Sequence, residues 1–161
     1  MANQTESKTE LILSAAREIL IGDNAATGNT VESIESYCAN RIQREDLQIS
    51  IDVPKIDLSC DGGASEVSIP TKEYFLVIKP RTAMDSPDTP MTTLDRISSR
   101  INFLFNNKPS SLNGANIVVG KNLRCRLITE ESALRVPDYI ERTYTKVIRY
   151  KVRCDDEIIT T

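Results

Sequence analysis

Along the last third of the chain, apolar and polar residues alternate with a period of two. Over residues 142–154, Ile148, Tyr150, Val152 and Cys154 fall on one side, and Val147, Arg149, Lys151 and Arg153 on the other. Residues 122–128 repeat the scheme, with Arg124 and Arg126 opposite Leu123, Cys125 and Leu127. The pattern predicts two antiparallel strands with one buried face and one basic face. Residues 130–141, which include Pro137, read as a connection longer than a tight hairpin needs.

Earlier in the chain the period changes. Ser7 and Glu10 have the spacing of a capping box, and Ile12, Ala15, Ala16, Ile19 and Leu20 then form a helical stripe that Gly22 ends. A second helix is expected over 31–44, with Val31, Ile34, Cys38 and Ile42 on one side. Leu47, Ile49, Ile51 and Val53 alternate as a half-buried strand that ends or kinks at Pro54, with Ile56 and Leu58 continuing beyond it. After a turn at 60–65, residues 66–79 return as a strand whose centre, Tyr74 to Ile78, is apolar on both faces. Such a strand belongs in the middle of a sheet, covered by helices on at least one side.

Residues 80–91 contain three prolines and no periodicity, which predicts an exposed loop; Arg81, Met84, Asp85 and Asp88 are its candidate contact residues. A helix follows from about Thr92, with Leu94, Ile97, Ile101, Leu104 and Phe105 inward and Asn106 to Pro109 as its stop. A strand at 116–119 precedes the final pair. The order predicts an α+β fold: one domain over 1–161, with a mostly antiparallel twisted sheet packed by two to three helices and a short flexible tail at 155–161.

Composition narrows the function more than the fold. The 161 residues are 40% hydrophobic and 27% charged, ordinary for a soluble domain with its own core. No apolar run reaches the roughly 18 residues of a membrane span, so no membrane partner is expected. Residues 1–7 lack the basic and apolar parts of a signal peptide, which makes cytoplasmic synthesis the expectation. The chain has no histidine, which excludes Ser–His and Cys–His nucleophiles and every histidine-ligated metal. Cys38, Cys60, Cys125 and Cys154 form no CxxC pair, so a zinc site would need all four thiolates from distant segments. Cys125 and Cys154 sit on apolar strand faces and read as small core residues; a disulfide between them is open if the strands pair.

No phosphate loop is present: 61–63 and 26–28 are too short to cradle a nucleotide and read as turns. Asp85 with Asp88, or Asp155 with Asp156, supplies two oxygen ligands for a cation but no third at a recognisable spacing. No residues are therefore nominated as catalytic or metal-binding, no cofactor is expected, and the chain reads as no enzyme.

Charge adds one more element. Residues 1–60 carry five bases against ten acids, and residues 121–153 carry nine bases against four acids. Opposite ends of this kind suit head-to-tail contacts between identical copies, or mutual satisfaction within one copy. Arg124, Arg126, Arg149, Lys151 and Arg153 form the basic strand face. It is a candidate intersubunit or lumen-facing surface, and alternatively the grip of a small nucleic-acid-binding module. Single-strand readers also need exposed aromatics between the bases. On these strands only Tyr144 and Tyr150 are aromatic, and Tyr150 falls on the apolar side.

Taken in order, these elements resemble the tail terminator (tail completion) proteins of long-tailed bacteriophages. The resemblance rests on the amphipathic N-terminal helix, the strand running into Pro54, the apolar strand at 73–79, and the long loop that follows. It rests further on the helix Leu94-Asp-Arg-Ile-Ser-Ser-Arg-Ile-Asn-Phe-Leu104 and the Pro-Asp turn Arg135-Val-Pro-Asp-Tyr139 leading into Lys146-Val-Ile-Arg-Tyr-Lys-Val152. The expected helix at 31–44 is longer than that pattern requires. The resemblance implies a structural virion subunit, assembled in the host cytoplasm into a homo-oligomeric ring, a hexamer, at the head-proximal end of the tail tube. Its implied partners are other copies of itself, the tail tube protein and the head–tail connector or neck protein, with DNA passing through the lumen.

Overall fold

The structure, a computed structural model, describes residues 8–24, 33–39, 41–45, 52–62, 71–86, 89–109 and 123–156. Helix α1 runs Lys8–Ile21 and buries Leu11, Ile12, Leu13, Ala15, Ala16 and Leu20, which widens the expected stripe by one helical row. Ser7 lies outside the described residues. Gly22 closes the helix with its N–H donating to the Glu18 carbonyl at 2.9 Å.

The expected second helix is cut to five residues, α2 (Ile34–Cys38). Ser33 caps it, its hydroxyl accepting from the Ser36 N–H at 3.2 Å. Ala39 then adopts φ 51°, a left-handed conformation that costs a non-glycine residue and ends the helix. Ile42–Arg44 forms β1 instead of a last helical turn. Ser33, Ser36 and Tyr37 are weak helix formers, while burying Ile42 beside Ile56 rewards the strand. The anticipated strand at 47–53 falls mostly on residues outside those described.

Strand β2 (Lys55–Gly62) follows a cis Val53–Pro54 bond and pairs parallel to β1. Strand β3 (Thr71–Ala83) runs antiparallel to β2. The loop expected at 80–91 is therefore shorter, because the strand carries Pro80 and Arg81 within it. Proline lacks an N–H, so the ladder to the next strand skips it, yet the register is unchanged between Ile78↔Ile148 and Arg81↔Thr145. Arg81 is anchored as well: its Nε stands 2.8 Å from the fully buried Asp57 Oδ2, close in charge though misaligned for a hydrogen bond. Helix α3 (Pro90–Phe105) starts before Thr92, with Pro90 in its first turn, where the missing N–H costs nothing. Asp88 lies outside the described residues.

Strands β4 (Leu123–Asp138) and β5 (Thr143–Asp156) complete a mixed α+β sheet of order β1-β2-β3-β5-β4. The long connection expected at 130–141 is a four-residue turn, because β4 continues through Pro137. A proline is tolerated there since β4 is an edge strand.

The three described helices pack on one face of the sheet, α1 over β1 and β2, and α3 over β3 and β5. Tyr74, Leu76 and Ile78 meet Ile148, Tyr150 and Val152 beneath Ile97, Ile101 and Phe105. The Phe105 and Tyr150 rings lie 5.9 Å apart, and the Tyr150 hydroxyl is hydrogen-bonded with Asn102 Oδ1 at 3.1 Å. The helices are tied by Asp23, which accepts from the Ile34 N–H at 2.9 Å and from two nitrogens of Arg100 at 2.9 and 2.6 Å.

Candidate functional site

The basic face is built by the β3–β5–β4 sheet on the side away from the helices. In β4 the simple alternation fails. Register shifts between Cys125 and Leu127, and between Glu130 and Ser132, insert Arg126 and Glu131 as bulge residues. The first bulge turns Leu127 to the same side as Arg153, its register partner, and lets Cys125 and Ile128 both be buried under the helices. Arg126 is exposed on the bulge. Arg124 pairs in register with Asp155, and its side chain lies outside the described residues.

The cations of β5 are paired. Lys151 Nζ and Arg153 Nη2 stand 3.4 and 2.8 Å from Glu73 Oε1, and Arg149 stands 3.5 Å from Glu131. The hydrogen bond from Arg153, followed by the charge of Lys151, holds the Glu73 carboxyl below its ordinary pKa. Sequence reasoning missed one aromatic on this face. Phe75 sits on β3 opposite Lys151, and the Arg149 guanidinium lies 4.0 Å above its ring. The apolar alternation of 73–79 held the signal, but only strand order reveals which neighbour it meets.

Apart from Glu131, the acids that meet the C-terminal bases in these contacts come from the middle of the chain. Asp95 lies 3.2 Å from Arg135 and 3.7 Å from Lys146, and Asp85 makes a two-bonded pair with Arg142 at 2.6 and 2.9 Å. Of the N-terminal acids, Asp23 binds Arg100, Glu45 binds Lys79, and Asp57 lies between Lys55 and Arg81. The two charged ends therefore do not pair with each other in these contacts.

Of the expected loop residues, Arg81 belongs to β3, while Met84 and Asp85 form the turn after it. The Met84 N–H donates to the Arg142 carbonyl at 2.9 Å, so this turn is joined to the β4–β5 turn. That second turn is ordered from within: Asp138 Oδ1 accepts from the N–H groups of Ile140 and Glu141 at 3.0 and 3.1 Å, and Arg142 takes φ 55°. Here the surface is unexpectedly apolar. Tyr139 is 78% exposed and Ile140 95%, and Leu134 and Val136 are exposed on the adjoining edge. Patches of this kind mark interaction sites more often than idle surface.

The thiols do not make a reactive centre. Burial pushes the pKa values of Cys38 and Cys60 up to about 12, and Cys125 and Cys154 are register partners, buried and not disulfide-bonded. Hydrogen bonding with the Cys154 thiol lowers the Cys125 pKa. Among the described residues, no three His, Cys, Asp or Glu side chains converge to hold a metal, and no helix is long and apolar enough to cross a membrane.

No protein-family model matches the chain, and no curated protein does. Among solved structures the fold is similar to that of a chain in the virion of a native gene transfer agent particle. The TM-score is 0.62 at 12% identity, covering 89% of this chain and 93% of that one. At that identity the likeness is one of fold: nearly the whole length of a virion chain repeats this arrangement of helices and sheet.

Proposed function

We propose that this chain is a structural subunit of a phage-like virion, acting through assembly and without chemistry. It forms a ring that caps the tail tube and joins it to the head or neck connector. The observation that carries this reading is the fold shared, end to end, with a chain of a gene transfer agent virion, a phage-like particle. The sequence resemblance to tail terminators, reached from patterning alone, supplies the finer assignment and the hexameric stoichiometry.

The surface fits such a role. A closed ring of identical copies needs two different complementary surfaces on each copy. The apolar β4–β5 turn supplies one kind of surface on an otherwise polar exterior. The basic strand face is a candidate lumen wall or subunit contact. Glu73 and Glu131 temper its charge, which favours DNA sliding past over DNA being held. The same pairing weighs against a dedicated nucleic-acid-binding module.

The test is to add the purified chain to growing tail tubes and image them by negative-stain electron microscopy. Tubes of arrested length bearing a ring at one end are expected. Tubes that elongate unchanged and bare would overturn the reading.

A further inference from the structure

At one end of the sheet lie two features that the described residues leave uncovered. The first is the turn between β4 and β5, where Tyr139 and Ile140 are almost wholly exposed and the Glu141 carboxylate has no partner among the described residues. The second is a cleft of about 550 Å³ between α2, the start of β2, the end of β3 and the start of α3. Tyr37, Pro54 and Pro90 give it apolar walls, and Arg96, exposed on α3, makes no ion pair with the described residues.

The sheet fixes how these features are placed. The end of β4, the start of β5, the end of β3 and the start of β2 share one end, as Asp138↔Thr143, Ala83↔Thr143 and Lys55↔Arg81 show. The cleft reaches from α2 and the start of β2 to Ala83 and Ser86, which flank the Met84–Asp85 turn bonded to Arg142, so the two features adjoin. Two unlike surfaces on each copy are what a head-to-tail contact between identical copies needs.

Resting on the ring reading above, we infer that the occupant of the cleft is a second copy of this chain. The Tyr139–Ile140 turn of one copy seats between Tyr37, Pro54 and Pro90 of the next, and Glu141 pairs with Arg96 across the boundary. Charge complementarity selects this partner: Glu141 beside the apolar turn and Arg96 in the cleft are opposite charges, and neither makes an ion pair with the described residues. The Asp85–Arg142 pair and the Asp138 turn hold the inserting residues in shape before contact, which lowers the ordering cost of assembly.

The test compares the molar mass of the full chain by light scattering across concentration with that of three variants. Wild type is expected to associate. Ile140→Asp and Arg96→Glu should each weaken association at least tenfold, and Arg96→Glu combined with Glu141→Arg should recover it. Circular dichroism should show all three variants folded, since both sites are exposed. If the wild type associates and either single variant does so equally, the turn-and-cleft contact is overturned while the ring reading stands. Failure of the double variant to recover overturns the Glu141–Arg96 pairing. A wild type that stays monomeric overturns the contact and the self-assembling ring together.

Discussion

Asp85 and Arg142 stand 57 residues apart and meet in a two-bonded ion pair, 2.6 and 2.9 Å, that clasps the β3–α3 turn to the β4–β5 turn. Both groups are solvent-exposed. The Arg142 guanidinium holds the Asp85 carboxyl below its ordinary pKa, first by hydrogen bonding and then by charge. A lowered carboxyl pKa stabilises the folded turn above the unfolded value of about 3.9, and the contribution is lost as pH falls through the lower folded value. An NMR titration of the Asp85 carboxyl should therefore show a midpoint below about 3.9. Asp85→Asn should speed hydrogen exchange at Glu141 and Arg142 at neutral pH. A midpoint at or above the ordinary value would dissolve the clasp.

The helical layer depends on a more buried carboxylate. Asp23 is 5% exposed and serves both the Ile34 N–H and Arg100. Removing it strands a backbone donor and a half-buried guanidinium, so Asp23→Ala should cost about 3 kcal/mol in urea unfolding. Asp95→Ala, which breaks contacts to Arg135 and Lys146 at a site half open to water, should cost less than about 1 kcal/mol. Equal costs would show that burial is not what distinguishes the two.

The basic face should be a poor grip on DNA as it stands. Glu73 restrains Lys151 and Arg153, and Glu131 restrains Arg149. The Glu73→Gln, Glu131→Gln double variant should bind a DNA duplex more tightly than wild type, with a steeper salt dependence. Fluorescence anisotropy between 50 and 200 mM salt would read both. Tight wild-type binding that the variant leaves unchanged would favour the nucleic-acid-binding alternative.

Much of this architecture was legible in the residues. The stripes of α1 and α3, the central apolar strand and the alternation of β5 each follow from local period, and burial obeys them. What failed had non-local causes. The helix expected at 31–44 stops at Cys38 because Ile42 gains more beside β2 than in a helical turn. Pro80 and Pro137 read as loop residues, yet they lie in strands that their neighbours had already fixed. The bulges at Arg126 and Glu131 shifted the faces of β4, a register matter that no single strand reveals. The basic residues were found at once, but their partners Glu73 and Glu131 depended on strand order. The exposed Tyr139–Ile140 turn was hidden because its segment was read as an ordinary connection.

The central claim is that this chain works by closing into a ring. Native mass spectrometry of the full chain, alone and with tail tube protein, tests it most directly. The account predicts one dominant closed species of six copies of the 18.0 kDa chain. A chain that remains monomeric at every concentration, with and without the tube protein, would contradict it.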